Sequence, residues 1–218
     1  WIKSEDRATV ALCFLQHMIL PRLKFSIIDA YYAAHFIDLL HELKVPLFNM
    51  LFFYDRFFRD FTQLVYSCSE RESAQLGVFM SCVLRKVSKW REQVHFEREC
   101  LTSVNLEIPA SVSGWRQVDH LEFVDLSYNW HLKLTKGTLV QLDCGDYMEL
   151  RNTLAVLVSI IDEYPLVTSH GLHLQRRVEC LRNFEHRGDI QTIATRYLAM
   201  LNSTRRRWRS EEEYRCKF

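Results

Sequence analysis

Asp119-His120-Leu121-Glu122-Phe123-Val124-Asp125-Leu126-Ser127-Tyr128-Asn129-Trp130-His131-Leu132-Lys133-Leu134-Thr135-Lys136 contains neither glycine nor proline. Its apolar residues fall at helical spacing in two stripes, Leu121/Val124/Tyr128/Leu132 and Phe123/Leu126/Trp130/Leu134. One stripe is enough for a surface helix, whereas two require neighbours on two sides. Asp119 stands three residues before Glu122, the spacing at which two side chains satisfy free amides reciprocally at a helix start. The stretch therefore reads as an inner helix of a stacked array.

The same signals recur outward from it. Ser69 precedes Glu72 and Asp146 precedes Glu149 at the capping spacing, and Asp189 after Gly188 offers a further N-cap. Gly114, Gly137, Gly145, Gly171 and Gly188 fall where periodicity stops, and Gly77 alone lies inside a helical pattern. Phe36, Leu39, Leu40 and Leu43 form one apolar stripe; Leu150, Leu154, Leu157 and Ile161 form another. These marks predict helices near 4–19, 26–43, 47–67, 70–98, 120–136, 138–144, 147–163, 172–186 and 190–209. Pro21, Pro46 and Pro165 sit at junctions. The gap 101–118 holds Pro109 and Gly114, with Val104, Leu106 and Ile108 alternating in a short strand-like way. The expected fold is all-α, with stacked antiparallel helices forming an α-solenoid segment of HEAT/MIF4G-like kind. Residues 1–100 and 119–218 would be two helical arrays joined by the 101–118 loop into one continuous domain. Lys136-Gly137-Thr138 reads as a helix end.

Apolar residues make up 48% and aromatics 13% of 218 residues, which excludes a disordered chain and allows roughly 70% of the unfolded surface to be buried. The sequence opens on Trp1, so a piece of a larger protein is expected. The densest apolar run, Leu154 to Ile161, is too short to span a bilayer, and a soluble protein with no membrane partner is expected. Seven cysteines, with no Cys-x-x-Cys pair, fit a reduced compartment. Net charge is +1, yet residues 169–218 carry 11 Lys/Arg against 6 Asp/Glu. A nearly neutral body with a basic end is an interaction pattern, not that of a whole-surface nucleic-acid binder.

A search for chemistry returns little. Lys136-Gly137-Thr138 has the letters of a phosphate loop in the wrong order, and no Gly-x-Ser-x-Gly elbow occurs. His170, His173 and Cys180 lie close in sequence but lack a fourth ligand for zinc. Asp55 and Asp60 flank a Phe/Tyr-rich helix without a positioned acid–base partner, and read as its polar fringe. No enzyme, cofactor or metal is expected. Arg205-Arg206-Arg207-Trp208-Arg209 combines guanidinium groups with an indole, a pairing that holds phosphates and stacks bases. Arg176, Arg177 and Arg187 would add to it; Arg176 and Arg187 share a face if one helix runs through both. Against that, Trp208 continues the inward stripe Ile190/Ala194/Tyr197/Leu201, so it could close the core, and the arginines could decorate a helix end.

Several ordered motifs resemble a known family. They are Ile19-Leu20-Pro21-Arg22, Phe36-Ile37-Asp38-Leu39-Leu40-His41, Tyr54-Asp55-Arg56, Trp90 leading to Glu99-Cys100, and above all Trp130-His131-x-Lys133-Leu134-Thr135-Lys136. Gly145-Asp146-Tyr147, Arg151-Asn152, Tyr164-Pro165 and Arg177-Val178 follow at similar spacing. Together they resemble the THO complex subunit 2 family. The resemblance implies a non-catalytic nuclear scaffold that holds other THO complex subunits and a DEAD-box RNA-dependent ATPase in mRNA export. Lys133, Lys136, Arg151 and Asn152, polar positions in or near the most recognisable stretch, are then the partner-binding candidates. The alternative is a direct RNA-binding module acting through Arg176, Arg177, Arg187, Arg205, Arg206, Arg207 and Arg209.

Overall fold

A computed structural model describes residues 7–45, 48–101, 105–109 and 114–215. Helix α1 (Arg7–Phe14) continues through a π-helical turn at Leu15–Ile19 into α2 (Leu20–Leu23). Pro21 therefore lies inside a continuous helical segment instead of ending one. Proline lacks an amide hydrogen and crowds the carbonyl four residues back, and the widened turn, in which Leu20 N–H reaches Leu15 O, absorbs that conflict. Pro46 lies outside the described residues.

Ser26 opens α3 (Ile27–Glu42) by accepting from the amide of Asp29 at 3.1 Å, and Asn49 opens α4 (Met50–Arg59) by accepting from Phe52 N–H at 3.0 Å. The expected helix 47–67 breaks at Asp60 into α4 and α5 (Phe61–Tyr66), and 70–98 breaks after Trp90 into α6 (Glu70–Trp90) and α7 (Gln93–Cys100). The strand-like alternation near Ile108 becomes β1 (Glu107–Pro109), paired antiparallel with β2 (Trp115–Gln117); Val104 is outside the described residues. There follow α8 (His120–Asp143), α9 (Tyr147–Ser159), α10 (Thr168–Phe184), α11 (Gly188–Thr204), a 3-10 turn at Arg205–Arg207, and α12 (Glu211–Arg215).

Both partners of the capping box form at Ser69/Glu72 and at Asp119/Glu122, while Asp146 accepts from Glu149 N–H at 3.0 Å. Asp189 is not the N-cap of α11: that position falls to Arg187, and Asp189 sits in the first turn accepting from the Tyr147 hydroxyl. Gly137 and Gly171 are not helix ends either. Gly137 lies within α8, which joins the expected 120–136 and 138–144 pieces, and a Cβ there would meet Thr62 Cγ2 at 3.0 Å. Gly171 lies within α10, where a Cβ would stand 2.6 Å from the Trp208 ring. Both glycines mark close approach. Gly145, between α8 and α9, does have φ +75°, the conformation that ends a helix cheaply only at glycine.

Helices α3, α6, α9 and α11 pack side by side in that order, α10 lies against α11, and α8 runs across α4, α5, α9 and α10. Helix α8 turns both of its stripes inward, with Leu121, Leu126 and Leu132 half-buried. Phe123, Trp130 and Leu134 enter the main core, and Tyr128 and Leu132 meet Val167 and Tyr214 on the other side. Trp130 stacks on Phe58 and takes Tyr54 edge-on, both at 5.7 Å, contacts worth about 1 kcal/mol each beyond their area.

Helix α3 departs from its expected stripe. Ala30, Ala33, Ala34, Ile37 and His41 face α6, whereas Leu39 and Leu43 point outward. Small residues let two backbones approach closely, so the less apolar face is the buried one. The helix of the basic end stops at Thr204, and Trp208 enters the core from an extended segment beyond it.

Candidate protein-interaction surface

The four partner candidates divide by surroundings. Lys133 Nζ lies 2.5 Å from Asp55 Oδ1, and the same carboxylate takes Trp130 Nε1–H at 3.3 Å and the Arg59 guanidinium at 3.3 Å. Asp55 and Lys133 thus fasten α4 to α8. Arg151 pairs with Glu70 at 2.6 Å, and Asn152 is fully buried, donating to Cys68 O at 2.6 Å. Lys136 is exposed and forms no ion pair among the described residues. It lines a shallow cavity of about 400 Å³ with Arg59, Gly137 and the exposed Val140.

The basic end is not one patch. Arg177 donates to Leu142 O, one of the C-terminal carbonyls of α8, and pairs with the Asp143 carboxylate. Arg187 pairs with Glu185 at 2.8 Å and donates to Gly145 O. Helix α10 ends before Arg187, so Arg176 and Arg187 do not share a helix. Arg207 donates to the main-chain oxygens of Ile161 and Asp162. Arg209 joins the fold through its backbone, N–H to Leu166 O and O from Thr168 N–H. Arg176, Arg205, Arg206, Arg207 and Arg209 are exposed, Arg207 alone of these being spent on main-chain oxygens; Arg205 leans on Trp208 at 5.8 Å.

His131 and His170 sit in the interior, whereas His173 is exposed. His131 is fully buried with both ring nitrogens unpartnered among the described residues, and burial pushes it down to about 3; the charges of His170 and Arg91 act in the same direction. Burial likewise pushes His170 down to about 4. Neither joins a metal-binding group among the described residues. Glu99 shows the opposite balance. Burial would raise it, but hydrogen bonds from Lys89, Trp90 and Arg98 hold it at about 2, where it locks α7 onto the end of α6.

The surface that sequence reasoning missed lies on α3. Phe25 is 67% exposed and Ile28 79%, and Ile27, Tyr31, Tyr32, Leu39 and Leu43 continue the exposed apolar face along the helix. Several large apolar side chains exposed along one helix mark a protein contact more often than an isolated one does. The missed signal was the alanine set on the other side: Ala30, Ala33 and Ala34 recur at helical spacing and mark the buried face.

Residues 1–201 match the family described as Transcription factor/nuclear export subunit protein 2 (Tho2). THO complex subunit 2 of Homo sapiens is 36% identical over 224 residues, covering 99% of this chain, and the Mus musculus protein matches equally. The chain belongs to the Tho2 family. It spans 14% of the length of those relatives, and 12% of the THO complex subunit 2 of Arabidopsis thaliana, to which it is 28% identical over its full extent. The most recognisable Tho2 motif here is mainly architectural: Trp130 and His131 are core, Thr135 bonds the Tyr164 hydroxyl at 2.6 Å, and Lys133 holds Asp55. Among the described residues of this Tho2 segment no helix is long and apolar enough to cross a membrane.

Proposed function

We propose that this Tho2 segment is a non-catalytic scaffold of the nuclear THO complex that docks protein through the outer face of α3. Its helices form a HEAT/MIF4G-like solenoid segment. Residues 1–100 and 119–218 act as one continuous domain, a reading supported by α6 packed on α9 and α4 on α8. The supporting observation is the exposed run Phe25/Ile28/Tyr32/Leu39/Leu43 beside arginines held largely by the fold itself. The relatives' name, THO complex subunit 2, makes another THO subunit the expected occupant; the resemblance of the motifs adds a DEAD-box RNA-dependent ATPase positioned in the same assembly for mRNA export. Lys136, exposed and without an ion pair among the described residues, is the partner-binding candidate whose charge can be reversed most cleanly. Lys133→Glu would also break the α4–α8 fastening. Arg176, Arg205, Arg206 and Arg209, whose side chains are exposed and form no ion pair among the described residues, are the residues left for a direct RNA contact.

Hydrogen exchange across α3 in the full-length protein, alone and within the reconstituted complex, tests the assignment. Protection that appears only on assembly supports it. Protection already present in the isolated full-length protein would give the face to the rest of the polypeptide and overturn the partner assignment.

A further inference from the structure

On α8, Lys133, Lys136, Gly137 and Val140 fall at the i, i+3, i+4, i+7 spacing of one helix face. That face and the corner where α4 passes into α5 enclose the shallow groove of about 400 Å³. The groove is two-sided in its chemistry. Towards the start of this face stand three cations, Lys133 and Lys136 from α8 and Arg59 from α4. All three reach solvent: Lys136 is exposed, and the Lys133 and Arg59 side chains keep 39% and 57% of their exposure. One turn beyond Lys136 stands Val140, 65% exposed, with Phe58 and Phe61 buried beneath the groove. Between the two halves Gly137 leaves the main chain of α8 bare, close against Thr62 and Phe61.

The charges do not balance. Among the described residues no carboxylate lines the groove, and the one beside it, Asp55, is shared by Lys133, Arg59 and Trp130 Nε1–H. The next acids along the two helices are already engaged, Asp60 with Arg56 and Asp143 with Arg177, both at 2.5 Å. Three cations therefore face one carboxylate, and Lys136 has no counter-charge. A cleft lined by one sign of charge over an apolar floor focuses its field and draws in the opposite sign. The form of the site favours protein over RNA. Single strands are held along a basic track with exposed rings to stack on, whereas here the cations gather at one end and the two phenylalanines are buried. We infer that the α5–α8 groove takes a short segment of a partner protein in which adjacent carboxylates, met by Lys133, Lys136 and Arg59, stand next to an apolar side chain seated on Val140. This gives Lys136 an occupant of defined chemistry and does not depend on the α3 reading.

Titration of the isotope-labelled chain, observed at the Gly137 amide and Val140 methyl resonances, tests this. The probes are N-acetyl-Glu-Glu-Leu-Leu-amide, its reverse N-acetyl-Leu-Leu-Glu-Glu-amide, their Gln-Gln counterparts, and hexauridylate. One of the two Glu peptides should bind about fivefold more tightly than its Gln counterpart, the sum of two exposed charge pairs. Lys136→Gln should cut that preference to about twofold with the melting temperature unchanged, because Lys136 holds nothing in the fold. Val140→Asp should abolish the shifts from both Glu peptides. Equal binding of Glu and Gln peptides, no saturable shift with any peptide, or a preference untouched by Lys136→Gln would overturn the site. Tighter binding of hexauridylate than of both Glu peptides would overturn it in favour of a nucleic-acid contact. Shifts confined to α3 residues such as Ile28 would also overturn it, while leaving the α3 surface standing.

Discussion

The outer face of α3 and the arginine-rich segment 205–209 invert what their compositions suggest. The apolar residues of α3 lie in solvent, with Ile28 79% exposed, while Arg207 is spent on two main-chain carbonyls and Trp208 packs against Gly171. An arginine run can serve as internal mortar where helix C-termini leave carbonyls free, and a helix rich in large apolar side chains can bury its alanines instead. In this molecule, the face we propose for a partner is the hydrophobic one.

The largest effect that would sharpen this contrast comes from Tyr214. Its ring is completely buried against Tyr128, His131 and Arg91, and its hydroxyl meets Ser127 Oγ at 2.8 Å. Tyr214→Ala should cost about 3 kcal/mol in chemical denaturation and make residues 205–215 sensitive to protease. A loss under about 1 kcal/mol would show that this segment is not fastened as described.

His131 gives the next. An imidazole depressed to about 3 when folded, against about 6.5 unfolded, leaves stability intact above about pH 6.5 and removes it as pH falls toward 3. At pH 5 the loss from this residue is ~2 kcal/mol. Melting curves between pH 7 and pH 5 should show it, and His131→Phe should flatten much of the slope, with His170 supplying part of what remains. Arg207→Ala should cost about 1 kcal/mol, the value of its carbonyl contacts, in denaturant titrations. A change in hexauridylate affinity larger than that in stability would restore an RNA role to this arginine.

Ile28→Asp should have the smallest effect on folding, within about 0.5 kcal/mol, because the side chain is already in water.

Much of the helical array was legible in the sequence because capping chemistry and double apolar stripes are local signals: Ser69/Glu72, Asp119/Glu122 and the two sides of α8 all appear as expected. What was not legible depends on partners distant in sequence. Gly137 and Gly171 look like stops until Thr62 and Trp208 arrive beside them. Leu39 and Leu43 look buried because periodicity cannot say which of two apolar faces a neighbour will take. The basic end misled for the same reason, since the carbonyls of Leu142, Gly145 and Ile161 that its arginines satisfy lie at and just beyond the C-termini of α8 and α9, distant in sequence.

The most direct test of a protein-docking role is capture of purified THO subunits and a DEAD-box ATPase by this chain without RNA, at low and moderate salt, comparing the native sequence with Phe25→Asp/Ile28→Asp. Apolar docking on α3 predicts capture that survives moderate salt and falls at least tenfold in the double variant. Capture that collapses with salt, requires RNA, or is unchanged by the α3 substitutions would contradict it.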